Sequence, residues 1–197
     1  MISYCLSDKV HVVNNPESIA YLLNLRGDDI PHTPVFLSYL VIMDQDCYLF
    51  CDLERFDSGL LEKLYEDGVI IRPYESYYDF LKEIRGRQII LDENKVNYES
   101  YLRLSGRGNR IYNMRSIIED MKAIKNPVEQ ENMRLAHIYD GVTMLRYIKW
   151  LKENDLSGYR EYDVMKKLDS LRLAYRAYDL SFDSIVAYNE NAAIVHY

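Results

Sequence analysis

No stretch of the sequence approaches the roughly 20 consecutive apolar residues that a membrane span requires, so no membrane partner is expected. The opening MISYCLSDKVHVV lacks a basic segment and meets Asp8 and Lys9 before any long apolar run forms. No targeting segment is therefore visible, and a cytoplasmic location is expected. Cysteine is scarce: Cys5, Cys47 and Cys51 are the three. An odd count in a chain large enough to build a core argues for reduced thiols rather than a disulfide scaffold. Basic residues are outnumbered, 24 Lys and Arg against 31 Asp and Glu, which leaves a formal net charge of −7. That argues against the basic face that nucleic acid usually needs, so no nucleic-acid partner is expected; the acidic balance serves solubility. Internal repeats and low-complexity runs are missing too. So is a glycine-rich phosphate loop, which weighs against a nucleotide-binding α/β protein. The stretch SGRGNR at 105–110 is Gly-rich and basic, but it precedes a strand pattern rather than opening a helix, and reads as a turn.

What is present is ordinary globular material: 48% hydrophobic and 28% charged residues in 197. Such a length holds one large domain or two small ones. Strand and helix patterns alternate from the start. KVHVV at 9–13 reads as a strand. Asn15 is placed to cap a helix with Pro16 at its first position. Residues 24–34, with Gly27 and two prolines, read as a loop. Residues 35–44 and 47–52 are strand-like runs around an Asp44-Gln45-Asp46 hairpin turn. A helix follows over about 57–66, stopped by Gly68. Then come a strand at 69–74, a helix at 77–85, a strand at 88–92, a short helix at 98–104 and a strand at 110–114. Cys47 and Cys51 are an even number apart and would share one strand face. No His or second Cys pair lies at a convincing zinc-site spacing from them.

After Met114 the pattern turns helical. Ser116 or Arg115 opens a helix through Ile117, Ile118 and Met121. Asn126, Pro127 and Glu129 form a helix-start signature with a capping box. Apolar residues then recur at Leu135, Ile138, Tyr139, Val142, Leu145, Ile148 and Leu151, steps of three and four. A second amphipathic helix is expected over 161–175, with Met165, Leu168 and Leu171 inward. The last residues read as a hairpin, strands at 182–188 and 192–197 around a turn at 189–191. A lone hairpin is marginal in water and exposes an unpaired edge. The chain is therefore expected to be incomplete, its hairpin belonging to a larger sheet.

The pattern predicts an α/β domain over 1–115, a mixed sheet with helices on both faces, and a second part over 116–197. Three stretches then resemble one family. IAYLLNLRGDDIPHTPVFLSYLVI at 19–42 resembles the segment that follows the first domain of the long aminopeptidases P. MKAIKNPVEQENMRLAHIYDGV at 121–142 resembles the entry to the catalytic domain of Xaa-Pro peptidases, prolidases and creatinases. SFDSIVAYNENAAIVHY at 181–197 resembles the first hairpin of that domain. The three occur in the family's order, and the long aminopeptidase P branch fits best.

The resemblance implies a creatinase-like accessory domain at 1–115. It implies that 116–197 is the start of a pita-bread (α+β) metallopeptidase domain, with two long helices and a first hairpin. It implies two metal ions, usually manganese, held in the complete enzyme by two Asp, one His and two Glu. Paired metals generate hydroxide near neutral pH and polarise the carbonyl before proline. Those ligands lie beyond the final strand, so this chain is expected to bind no cofactor and to be inactive alone. Its implied substrates, in the complete enzyme, are proline-containing peptides, and a homodimer is possible. One functional residue carries over: His196, in AAIVHY, stands where the family places a histidine that contacts substrate and assists the intermediate. A neutral imidazole there donates a hydrogen bond to developing charge or passes a proton.

Other polar residues have plainer expectations. Asp179, Asp183 and Glu190 do not match the family's ligand positions and are read as turn or capping groups. Two readings stand for Arg26, Gly27, Asp28 and Asp29: a glycine turn with Arg26 paired to an acid, or a loop lining a neighbouring active-site cleft. The 19 tyrosines could form an interface, though their scatter suits the edges of a core. An alternative for the whole chain is a non-catalytic creatinase-like module that pairs with itself or a homologue through the hairpin edge.

Overall fold

The computed structural model describes residues 8–175 and 177–194. They fall into two compact units: one holds the residues up to Ile30 and Pro34–Ile124, the other Pro31–Thr33 and the residues from Lys125 onward.

The first unit is a six-stranded sheet. Its strands are β1 (Lys9–Val13), β2 (Tyr39–Met43), β3 (Asp46–Cys51), β4 (Val69–Pro73), β5 (Gln88–Leu91) and β6 (Arg110–Asn113), in the spatial order β4-β3-β2-β1-β5-β6. The pairs β1–β2 and β2–β3 are antiparallel; β3–β4, β1–β5 and β5–β6 are parallel. The β2–β3 turn forms where Asp44 and Gln45 predict it. Asp44 takes a φ of 54°, a left-handed conformation that Asp tolerates better than most residues. Its carboxylate accepts two bonds, 3.0 and 2.8 Å, from the Arg87 guanidinium.

Helices cover both faces, as the sequence predicts, because strand side chains alternate. Val13, Leu40, Ile42, Leu49 and Cys51 point to one face. There they pack with Ile19 of α1 (Pro16–Leu23), Leu64 of α2 (Ser58–Glu66) and Ile118 of α5 (Ile117–Ala123). Val10, Val12, Val41, Phe50, Ile89 and Leu91 point to the other. They meet Tyr77 and Leu81 of α3 (Tyr77–Glu83) and Leu104 of α4 (Tyr98–Leu104). Cys47 and Cys51 do share a face. Helix starts fall where the capping residues place them: the side chains of Asn15, Asp57, Asn97 and Ser116 each accept a backbone N–H of the first turn.

One expectation shifts. Residues 35–38 are not strand. Val35 and Phe36 are buried, but the Val35 carbonyl accepts the Asp29 N–H at 3.2 Å and so serves the loop rather than a ladder. The compact units divide after Ile124, because α5 buries Ile118 in the sheet unit.

The second unit is built on α6 (Pro127–Glu153) and α7 (Glu161–Leu173). The capping box is present: Asn126 accepts the Glu129 N–H at 3.0 Å, and Glu129 accepts the Asn126 N–H at 2.8 Å. Tyr147, Val164 and Leu168 form the buried centre, with Met144, Trp150, Leu151, Leu171 and Val186 against it. The apolar stripe of α6 is not buried throughout: Leu135, Ile138, Leu145 and Ile148 are exposed. The hairpin expected at the end is not formed among the described residues. Residues 183–188 carry no ladder partner, and Asn189–Ala193 is a 3-10 helix. A strand needs a neighbour for its backbone groups, and none lies beside this segment among the described residues. Residues 195–197 of the second expected strand lie outside them.

Candidate functional site

The most elaborated surface of the first unit lies at the carboxyl ends of the parallel strands β3 and β4. It begins with the end of α1. Asn24 turns left-handed (φ 52°), and its N–H reaches the carbonyls of Ala20 and Tyr21. Arg26 then folds back: its Nη1 donates to the carbonyls of Leu25 (2.8 Å) and Ala20 (3.2 Å). Arg26 thus satisfies carbonyls at the end of α1, and among the described residues it pairs with no acid. The acid pairing falls to Arg55, which binds both Asp28 and Asp29. Asp29 also accepts the Leu37 N–H at 2.6 Å. The Arg55 hydrogen bond, then the Leu37 amide, hold the Asp29 carboxyl below the usual carboxylate range.

Gly27 makes the loop possible by close approach. A Cβ there would stand 2.7 Å from the Phe36 Cβ and 2.9 Å from the Val35 oxygen. Loop and strand ends enclose a cleft of about 650 Å³. Its walls are apolar at Leu25, Phe36, Leu53, Phe56 and Leu60, and acidic at Asp52, Glu54 and Glu75. In open α/β sheets, ligands settle outside the carboxyl ends of strands. Sequence reasoning singled out this loop but missed Arg55. A pairing across 26 residues leaves no periodic trace.

The second unit carries the sequence-predicted catalytic residue, His196, but it lies outside the described residues. Asp179 and Asp183 are brought together by His32. The His32 Nε2 is 3.1 Å from Asp183 Oδ1, and Nδ1 is 3.5 Å from Asp179 Oδ1. Asp179 also has the turn role expected of it, accepting the Leu180 N–H at 2.6 Å. Glu190 sits in the first turn of the 3-10 helix. A cavity of about 580 Å³ opens beside α6 and α7, lined by Tyr139, Asp140, Thr143 and Arg172 and by residues of the 177–182 segment.

The other candidates are structural. In SGRGNR, Gly106 and Gly108 take φ of 74° and 75°. Asn109 ties the turn with bonds from Nδ2 to the Ile84 and Leu104 carbonyls. Several tyrosines belong to the core: Tyr39 stacks on Tyr77 at 4.0 Å and on Tyr74 at 5.0 Å. Others, such as Tyr65, Tyr98 and Tyr178, are exposed. Burial pushes the Cys47 and Cys51 thiols up to about 12, so both stay protonated and are poor metal ligands. Among the described residues no group of three or more His, Cys, Asp or Glu is placed to hold a metal ion. These residues do not fit a dinuclear centre. Nor, among them, is any helix long and apolar enough to cross a membrane.

Comparison with known proteins agrees with this architecture. Residues 5–129 match the Creatinase/Prolidase N-terminal domain, and residues 131–197 match metallopeptidase family M24. A probable Xaa-Pro aminopeptidase P of Verticillium alfalfae is 36% identical over 197 residues, covering 94% of this chain and 32% of the relative. An X-prolyl aminopeptidase from Caenorhabditis elegans, described as a cytosolic enzyme with a di-nuclear active site, superposes with a TM-score of 0.79 at 28% identity. That match covers 88% of this chain and 30% of the other. Prolidase from Pyrococcus furiosus shares the fold, with a TM-score of 0.66 at 17% identity over 100% of this chain and 53% of that one. The chain spans about a third of the length of the curated relatives it matches. It belongs to the Creatinase/Prolidase N-terminal domain family, and continues into a stretch that matches metallopeptidase family M24.

Proposed function

We propose that this chain is the accessory domain and the catalytic-domain entry of an Xaa-Pro aminopeptidase, which removes the N-terminal residue from peptides with proline second. The observation that carries the reading is the tandem order: a creatinase-type match over 5–129 runs directly into an M24 match over 131–197. In this reading the residues that hold the metal pair, two Mn²⁺, lie outside this chain, which is inactive alone. When bound, such a pair supplies activated water and a polarised carbonyl. This chain's own contribution is His196, whose imidazole donates a hydrogen bond to the developing negative charge. The sheet unit carries the loop of Arg26, Gly27, Asp28 and Asp29. The location is cytoplasmic, as described for the Caenorhabditis elegans relative.

The test is the intact mass of the native protein, detected with an antibody to residues 19–42. A mass well above 23.4 kDa is expected; a mass at that value overturns the peptidase reading. A second reading, a non-catalytic module that pairs with itself, draws on the exposed Val128, Ile138, Leu145 and Ile148 of α6. Light scattering of the purified chain decides it: a discrete dimer supports pairing and a monomer removes it.

A further inference from the structure

We propose that His32, Asp179 and Asp183 form a proton-dependent clasp that holds residues 177–184 in place as the movable wall of the cavity beside α6 and α7. All of these groups lie in the second unit. The inference is independent of the peptidase reading.

His32 sits at a φ of 61°, a left-handed conformation that persists in a non-glycine residue only when its surroundings hold it. Its two ring nitrogens face two different carboxylates, Nε2 toward Asp183 at 3.1 Å and Nδ1 toward Asp179 at 3.5 Å. Nδ1 is buried and has no hydrogen-bond partner of good geometry. A neutral imidazole has one N–H and one lone pair. With carboxylates on both sides, it must turn its lone pair to one of them. The imidazolium has two N–H groups and suits both. The hydrogen bond to Asp183 accordingly raises the His32 pKa, with the Asp179 charge adding to it. Among the described residues these two carboxylates are the charges that act on the ring. On the helices lining the cavity, Asp140 and Arg172 are turned to each other at 2.9 Å.

The segment has little else to hold it. Tyr178 and Phe182 are exposed, so apolar burial contributes little. Ser184 anchors one end: it is buried and accepts a bond of 3.0 Å from Arg172. Asp179 passes the clasp to the backbone, because its carboxylate also takes the Leu180 N–H. Tyr178, Leu180 and Phe182 then form one side of the cavity, and Tyr139, Thr143 and Arg172 the other. Protonated His32 keeps this wall closed. Loss of the proton frees residues 177–182 to swing about Ser184 and opens the cavity.

The experiment is a two-dimensional NMR titration of the 197-residue chain that follows the His32 ring and the Leu180 amide. The expected His32 midpoint lies above the unperturbed value of about 6.5, and the Leu180 amide shifts with the same midpoint. Asp183→Asn should lower the His32 midpoint; its side chain is 92% exposed, so packing is left intact. A second readout is chymotryptic cleavage after Tyr178 and Phe182, relative to the exposed Tyr65 of the first unit. In the wild type this ratio should rise several-fold as pH passes the His32 midpoint. In His32→Gln it should be high throughout. A His32 midpoint at or below the unperturbed value, a Leu180 amide that does not follow it, or a pH-independent cleavage ratio in the wild type overturns the clasp.

Discussion

Strand β2 and helix α6 both carry recurring apolar residues, yet these meet different fates. Of the five residues of β2, Leu40, Val41 and Ile42 are buried. Of the 27 residues of α6, only Thr143 and Tyr147 are. The sheet is sandwiched by helices on both faces, so every inward residue finds a partner within its own unit. The second unit has one small core, and much of the α6 stripe stays in water. An amphipathic pattern shows that a face can be buried; whether it is buried depends on what lies opposite. Two histidines, one in each unit, are held in opposite states. His11 is buried beside Ser116 and kept neutral; His32 is flanked by two carboxylates and favours its charge.

The sharpest way to break this comparison is to truncate one side chain in each unit. Leu40→Ala, at a fully buried position, should cost about 2–5 kcal/mol by the cavity it leaves. Leu145→Ala, 70% exposed, should cost no more than about 0.5 kcal/mol. Urea unfolding followed by tryptophan fluorescence and circular dichroism measures both. Equal losses would mean that the α6 face is covered in solution.

The histidines give a second contrast. Burial pushes His11 down to about 4, below its unfolded value of about 6.5. Between those values the unfolded chain binds more protons than the folded one. Stability from this source is therefore complete above about pH 6.5 and falls as pH drops toward 4, by about 3 kcal/mol in all. His32 has the opposite sign: its contribution is present at low pH and fades as pH rises through its folded pKa. Thermal unfolding across pH should show the acid loss of sheet stability in the wild type and a smaller loss in His11→Gln.

Gly27→Ala sharpens the account of the sheet unit's loop. Its Cβ would overlap Phe36 and the Val35 carbonyl, so a loss of about 1–3 kcal/mol is expected. Differential scanning calorimetry should detect it. Asn126→Ala in the second unit removes one half of the capping box and should cost about 1 kcal/mol, read as faster amide exchange in the first turn of α6.

Much of this was legible in the residues. Asn15 with Pro16 and Asn126 with Pro127 and Glu129 placed two helices correctly, because a cap is a local hydrogen bond that needs no distant partner. The family resemblance was carried by 19–42, 121–142 and 181–197, and the matches over 5–129 and 131–197 agree with it. What the residues concealed was long-range. Val35 and Phe36 look like strand, but their burial serves a loop. Residues 182–188 have strand composition without a strand beside them among the described residues. Arg55 and His32 carry no motif; each acquires its role from carboxylates far along the chain. Cys47 and Cys51 were legible as strand-face thiols without metal-site partners, and the sheet core holds them there.

The most direct measurement is hydrolysis of an Xaa-Pro peptide in the presence of Mn²⁺, comparing the 197-residue chain with the full-length native protein. The account predicts release of the N-terminal residue by the longer protein and none by this chain. Turnover by the 197 residues alone would contradict it, because among the described residues no group is placed to hold a metal ion.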